Sequence, residues 1–536
     1  MVKNLLKYLI VALVLCLTVS CAGLDAQRYP MNTKEAYTTV IIPEDEVFQF
    51  DEDPLNILYL SPGYWGTPIF REENHTMNFY MLSELSEKEL GFQVKFINCG
   101  GPNDRNNYAT AINSGQSGDL IFPGKYLDIQ QRSTSYDYWG DQYISEGLYM
   151  DLSPYLAQFC PEAIVNFTRY PQIKELCTKE GKTDAIYAGM PDINALSLFV
   201  KNSVLEENNI VSINNFDMLF EVMHNTVQRH TDVPDSGKIL VGDESALLDY
   251  VIYKNGYYTL YNNSLTKRLS HIVLKQDDVT CKPYLIEDTD LLQNFFKEFS
   301  RFIEHSYFTT SSKTPWAKEI ESYDFFLVQD PLFRIKDFTK QLTEFENILK
   351  DYSVFLFEET EYVANSPNSI ILVIVPSTSN QPEKALHFMN WLMTDQDAAD
   401  VLTFGSNVLN MKHYRYSEDG TIIPEKNNLI YGYYNLVANF SDKAFLWDNK
   451  EYDISKTYKE MAYKATIPPL YKKLAGQHIH LDAIQNLYLS RKHDCDKRNI
   501  YVKDTIREIL GNPESLLTPD HIEKELFYIT DSETLI

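Results

Sequence analysis

Apolar positions along the chain form short unbroken runs that alternate with longer stretches of helical spacing. Ile57 to Leu60 is an apolar run ending in Ser61-Pro62-Gly63, an amphipathic stretch covers Met77 to Leu90, and Phe92 to Ile97 is a second run. A third step places a helix near Arg105 to Asn113 and a strand at Leu120-Ile121-Phe122, directly after Gly118-Asp119. Strands alternating with helices of this length predict an α/β unit around a mainly parallel sheet, with helices on both faces. Ligands of such sheets lie beyond the strand C-termini, here the loops starting at Ser61 and Pro123. The middle of the chain, residues 195–365, is mixed and polar, with helical runs near Asp290 to Glu304 and Lys340 to Leu349. The apolar strand Ile370 to Val375 then leads into a marked helix. Asn380 and Glu383 have the spacing of a capping box, and Ala385, Phe388, Met389 and Leu392 share one face. Trp391 lies in the same helix and is assigned to the core. There is no internal repeat or low-complexity tract.

The N-terminus differs in kind from the rest. Lys3 and Lys7 precede an almost unbroken apolar run from Tyr8 to Val19, followed by Ser20-Cys21-Ala22-Gly23. This is the layout of an export signal over residues 1–20. The apolar run is too short to span a bilayer, which needs roughly twenty residues. Leu17-Thr18-Val19-Ser20-Cys21 resembles a bacterial lipobox, with Thr18 where leucine is usual. That resemblance implies a lipid on Cys21, anchorage on the outer side of the cell membrane and a tether over residues 21–45. Ordinary signal-peptidase cleavage nearby is the alternative.

Charge narrows the partners. The 536 residues carry 48 Lys plus Arg against 75 Asp plus Glu, a net charge of −27, so a nucleic acid would be repelled. A neutral solute in a locally uncharged cleft is compatible with that charge. Of the seven cysteines, Cys16 lies in the signal and Cys21 is the lipidation candidate. Cys99, Cys160, Cys177, Cys281 and Cys495 have neither C-x-x-C nor zinc-like spacing, which argues against a metal cluster. Cys160 and Cys177 are close enough in sequence for a disulfide, with buried free thiols as the alternative.

Several segments, in order, resemble the extracellular solute-binding proteins of ABC importers in the type 1, carbohydrate-associated group. Gly118-Asp119-Leu120-Ile121-Phe122 is similar to that family's "PDIIF" strand, and Glu146 through Gly147-Leu148-Tyr149-Met150-Asp151-Leu152-Ser153 to its "G-x-x-x-D-L-T" turn. Ile186-Tyr187-Ala188-Gly189-Met190-Pro191 resembles the "YALP" crossover, running on through Leu198-Phe199-Val200-Lys201 to Leu205. Ser379-Asn380-Gln381-Pro382-Glu383-Lys384-Ala385 matches the late "S-K-N-P-E-K-A" helix start. Trp391 to Asp395 and His413 to Gly420 are similar to the large lipoprotein subset with an extended C-terminal region. Gly405-Ser406-Asn407-Val408 departs from the usual Gly-Ile-Glu-Gly. The resemblance implies a two-lobed, periplasmic-binding-protein-like α/β fold of type II with the ligand cleft between the lobes. Lobe 1 would be residues 46–190 plus 369–412 and lobe 2 residues 195–365 plus 413–536, with crossings near Gly189 to Asn194 and Asn365 to Ile370. It further implies a receptor without cofactor or catalytic activity, which closes on an oligosaccharide or similar polar solute and delivers it to ABC permease subunits.

Aromatic residues make up 13 % of the chain, with 37 Tyr, and such rings suit the faces of sugars. Tyr64 and Trp65 follow Pro62-Gly63 at a strand's C-terminal end, where a cleft opens, with surface or core packing as the alternative. Tyr126 follows the "PDIIF"-like strand, where relatives place ligand contacts in lobe 1. Asp119 precedes that strand, positioned either to accept sugar hydroxyls or to fix a turn. Trp139, within Tyr136-Asp137-Tyr138-Trp139, resembles the cleft-edge segment, and Trp316 and Trp447 are candidates in lobe 2. His478, His480 and Asp482 could share one strand face around a metal, but no third histidine group follows. Gly181-Lys182-Thr183 lacks the first glycine of a phosphate loop. Two rival classes stay open: a secreted glycoside hydrolase, whose paired carboxyls a sequence neither shows nor excludes, and a glycan-docking surface lipoprotein.

Overall fold

A computed structural model describes residues 48–59, 72–99, 110–111, 118–129, 136–139, 147–191, 193, 195–229, 238–241, 244–262, 267–310, 322–329, 351–357, 372–404, 414–416, 422–424 and 454–468. The predicted export signal, Cys21 and the tether lie outside them. So do the helical run near Lys340, the loop at Gly405 and the His478 to Asp482 segment.

The first sheet contains β1 (Leu55–Tyr59), β2 (Val94–Asn98), β3 (Leu120–Ile129), β4 (Tyr136–Trp139) and β15 (Leu372–Ile374). Its order is β15-β3-β1-β2, and β4 pairs with β3. β1 runs parallel to β2 and β3, whereas β15 and β4 run antiparallel to β3. The strand–helix–strand step read from the sequence holds for β1, α1 (Glu72–Leu90) and β2, while the helix expected near Arg105 to Asn113 lies outside the described residues apart from 110–111. β3 continues well beyond the predicted Leu120 to Phe122 because its far half forms a hairpin with β4.

The second sheet contains β7 (Leu196–Lys201), β8 (Ile239–Val241), β12 (Phe308–Thr310), β13 (Phe325–Gln329) and β14 (Tyr352–Leu356), in the order β12-β8-β13-β7-β14. β8 is parallel to β12 and β13, and β7 is antiparallel to β13 and β14. The two sheets share one plan. In each, the first parallel strand is central, the chain's next parallel strand lies on one side and the third on the other. The antiparallel strand beyond the third is the one the chain makes on arriving from the other sheet: β7 in one case, β15 in the other.

Helix patterning explains the layers. α8 (Leu291–Glu304) buries Leu291, Leu292, Phe295, Phe299 and Phe302, an apolar stripe at helical spacing. α6 (Phe216–Arg229) buries Phe216, Leu219, Phe220, Val222 and Met223, and the Phe216 and Phe299 rings meet edge to face at 4.9 Å. α5 (Asn202–Asn208) ends where Asn209 adopts a left-handed conformation at φ 53°, as a C-terminal cap requires. A smaller three-stranded sheet, β9 (Tyr257–Asn262), β10 (Lys267–Lys275) and β11 (Pro283–Leu285), follows α7 (Glu244–Lys254).

α9 (Pro382–Thr394) buries Ala385, Phe388, Met389 and Leu392 as its spacing predicts, and Trp391 is buried too, its indole N–H donating to Glu89 Oε2 at 3.0 Å. The capping box expected from Asn380 and Glu383 does not form. The cap residue is Gln381, which makes no side-chain capping bond, and Pro382 occupies the first turn. Proline there needs no donor partner, so the helix starts without the box. Gly181 and Lys182 belong to a tight hairpin between β5 (Thr178–Lys179) and β6 (Lys182–Thr183). Glu180 and Gly181 turn it with φ 52° and 80°, so the segment is a β-turn and not a phosphate cradle.

Candidate functional site

In a sheet wound from a central strand to both sides, the crevice lies where the winding reverses, at the carboxyl ends of the central strand and its neighbours. For the first sheet that point follows Tyr59 of β1; for the second it follows Val241 of β8 and Gln329 of β13. Tyr64 and Trp65 come directly after the first of these points in sequence, and both lie outside the described residues, as do Trp316 and Trp447.

The structure brings two candidates together. Tyr126 and Trp139 are register partners across the β3–β4 hairpin, which extends β3 past the end of β1. The hairpin is the part of the first sheet that reaches furthest beyond the winding point, and it carries four aromatic residues, with Tyr136 and Tyr138 on β4.

Asp119 is placed differently. It is 3 % exposed, immediately before β3, at the opposite end of the strand from the crevice. Its Oδ2 accepts the Asn56 N–H at 2.9 Å and a longer bond from Gln381 Nε2 at 3.5 Å, and its Oδ1 accepts the Ser379 hydroxyl at 2.8 Å. The Asp119 N–H donates to Asn56 O at 2.7 Å. Asp119 thus ties β1, β3 and the start of α9 together, and of its two expected roles the structural one is realised. Ser379 was legible only as part of a motif; its hydroxyl also accepts the Gln381 N–H at 3.1 Å, shaping the turn that capping-box logic had assigned to Asn380.

The Asp151-Leu152-Ser153 turn does similar work. Burial alone would raise the Asp151 pKa, but hydrogen bonds from Ser153 and Thr183, with Lys182 nearby, hold it below the usual carboxylate value. Asp151 Oδ1 accepts from Ser153 N at 3.0 Å and Thr183 N at 3.2 Å, while Leu152 N donates to Thr183 O at 2.7 Å. Met150 N and Ser377 N bond to Val375 O and Leu148 O, so this turn is stitched to the segment that follows β15.

Between the sheets, Ile186 pairs with Val373 through two 2.9 Å backbone bonds, the chain runs through buried Ala188 and Met190, and β7 begins at Leu196. Phe357, just past β14, donates to Leu196 O at 2.9 Å, so the outgoing and returning chains run side by side where they meet the second sheet. Among the described residues no group of three or more His, Cys, Asp and Glu side chains is arranged to hold a metal ion. No helix among them is long and apolar enough to cross a membrane. Cys160 and Cys177 are both buried and no disulfide joins them. Burial pushes the Cys160 thiol up to about 12.

The duplicated strand order, with one antiparallel strand exchanged in each direction, defines the class: a two-lobed α/β binding-protein fold of type II. Comparison with solved structures returns solute-binding proteins at low identity. An N-glycan transport solute binding protein from Streptococcus pneumoniae is 13 % identical, with 90 % of this chain and 95 % of that chain covered at a TM-score of 0.48. An extracellular solute-binding protein of family 1 from Alicyclobacillus acidocaldarius is 12 % identical, with 90 % and 99 % covered at 0.47. The GacH receptor of Streptomyces glaucescens is 12 % identical, with 90 % and 98 % covered at 0.41. No family model and no curated protein matches the sequence. The class therefore rests on the chain's own strand order.

Proposed function

We propose that this chain is the lipid-anchored, extracytoplasmic solute receptor of an ABC importer, and that it captures an oligosaccharide by closing its two lobes. The observation that carries the reading is the pair of equivalent sheets joined by adjacent crossings. A solute touching the crevice ends of both sheets favours the closed arrangement over the open one, and a permease that reads the closed form then moves no empty receptor. Fold alone does not fix function. The further support is the ordered set of motifs and the aromatic β3–β4 hairpin, whose Tyr126 and Trp139 are our choice for stacking on a sugar face, with Tyr64 and Trp65 after β1 and Trp316 and Trp447 from the second lobe. Asp119 is left out of that set because its carboxylate is already bonded within lobe 1.

Calorimetric titration of residues 22–536 with a panel of oligosaccharides and peptides, with X-ray scattering in parallel, tests this. Saturable binding of an intact oligosaccharide with compaction is the expected result, and Trp139→Ala should weaken it by at least about tenfold. Cleavage of the sugar would replace the receptor reading with the hydrolase one. Binding without compaction would favour a glycan-docking lipoprotein.

A further inference from the structure

We propose that α11 (Ile454–Tyr463), the last helix among the described residues, braces the first crossing between the lobes and sets how readily they close, with Tyr458 as the positioning residue. The inference rests on the two-lobed receptor reading but concerns a region to which the sequence assigns no role.

The crossing leaves the first sheet at Ile186 and joins the second at Leu196. Ile193, within it, is fully buried, and so is Tyr458, at 1 % exposure. The Tyr458 hydroxyl lies 3.2 Å from both the Ile193 N–H and the Ile193 carbonyl, accepting from one and donating to the other. A single hydroxyl thus satisfies both main-chain groups of a crossing residue, the task a neighbouring strand performs inside a sheet.

The other end of α11 reaches the start of the crossing. The Arg169 guanidinium stacks on the Tyr463 ring at 4.4 Å, and the Tyr170 and Tyr463 rings are 6.3 Å apart. Arg169 donates to Asn166 Oδ1 at 2.9 Å, and Asn166 Nδ2 donates to the Tyr187 carbonyl at 2.8 Å. The Tyr170 ring also meets the Tyr187 ring edge to face at 5.7 Å. α11 packs as well against β14, the edge strand of the second sheet. One helix therefore holds the crossing near both ends, at Tyr187 through a lobe 1 relay and at Ile193 directly, while resting on lobe 2.

Hinge closure concentrates backbone rotation in a few crossing residues. Rotation at Ile193 must either break two hydrogen bonds or carry α11 with it. The brace thus weights the open-to-closed ratio before any solute arrives, and with it the apparent affinity.

Tyr458→Phe keeps the ring and removes only the hydroxyl. Amide exchange and X-ray scattering of the ligand-free protein, both independent of the solute's identity, read the effect. The expected result is exchange at the Ile193 amide faster by about tenfold, with wild-type rates retained in β8 and β13 and an altered ligand-free radius of gyration. Tyr463→Leu, which removes the ring beneath Arg169, should alter the radius in the same direction. Unchanged exchange at Ile193 would overturn the proposal. Acceleration spread evenly over both sheets would reduce Tyr458 to a stability residue, and local acceleration without a change in scattering would deny α11 any hold on closure. If instead the brace signals appear but no solute binds or compacts the protein, it is the receptor reading that fails.

Discussion

His387 lies on α9 beside Phe48 and Phe50, with ring centroids 5.1 and 5.4 Å away, and Phe48 in turn packs on Phe159 at 5.1 Å. One turn earlier Lys384 is 3 % exposed, yet its ammonium is fully engaged. It donates to the Asp51 carbonyl at 3.1 Å and the Asp53 carbonyl at 2.8 Å, pairs with the Asp51 carboxylate, and stands over the Phe92 ring at 5.1 Å. Phe48 to Asp53 are thereby held to α9 by a cation and by a histidine wedged among rings. A cation tied to two carbonyls suits this site, whereas a second charge on the half-buried imidazole does not. Burial lowers the His387 pKa below its ordinary 6.5. The unfolded chain then binds the proton more readily than the folded one, so stability falls as pH drops below 6.5 towards the lowered folded value. Glu162, raised chiefly by burial, contributes with the opposite sign on acidification. A comparison with His387→Leu isolates the histidine. Between pH 7 and pH 5 the wild type should lose more stability than the variant in urea titrations, and parallel pH profiles would show that His387 is not a buried neutral base.

Gly118 links residue chemistry to element placement. A Cβ at this position would come within 2.5 Å of Leu58 Cγ and Cδ1, and Leu58 is fully buried in β1. Only glycine lets the turn before β3 approach β1 closely enough for Asp119 to reach Asn56. Gly118→Ala should cost about 1–3 kcal/mol as β1 and β3 are forced apart, seen as a lower denaturant midpoint at unchanged m-value; an unaltered midpoint would mean that Leu58 moves aside freely. The same turn shows what the sequence made legible at this scale. Strand and helix identity followed from the apolar spacing, because β1 buries Leu55, Ile57 and Leu58 and α9 buries Ala385, Phe388, Met389 and Leu392 in the core. Starts and ends followed less well, since they depend on partners distant in sequence. β3 is long because β4 pairs with its far half, and α9 begins at Pro382 because Ser379 is drawn to Asp119, 260 residues away. The motifs that suggested a family, Gly118-Asp119, Asp151-Leu152-Ser153 and Ser379 to Lys384, turn out to hold lobe 1 together. Of the site itself, the Tyr126 and Trp139 pairing is visible only once the hairpin register is known. The brace by Tyr458 was illegible because nothing local distinguishes it among 37 tyrosines.

The two lobes are alike in plan but not in how the chain supplies them. All five strands of the second sheet lie between Leu196 and Leu356, together with α6, α7 and α8, so the sheet itself is built from one continuous stretch. The first sheet takes its antiparallel strand from Leu372–Ile374, and its lobe draws buried Ala385, Leu386, Phe388, Met389 and Leu392 from α9 and Ala398, Ala399 and Leu402 from α10 (Gln396–Phe404). Without that returning segment β3 loses the partner β15, the carboxylate of Asp119 loses Ser379, and the N-terminal residues lose Lys384 and His387. The strands of the second sheet all lie outside that segment, and the cover of α11 on β14 comes from a later stretch of chain. Independent folding should follow this asymmetry, because a lobe missing more than a third of its described buried apolar residues falls short of the burial that offsets chain entropy. A fragment of residues 193–360 should unfold cooperatively, though with reduced stability, while residues 46–190 alone should show no cooperative transition until residues 369–412 are supplied in trans. Circular dichroism and urea titration of the separate fragments decide it. Cooperative unfolding of residues 46–190 alone would mean that the returning segment decorates a complete lobe, and the hinge would then join two domains that fold in sequence order instead of two that fold around each other's strands.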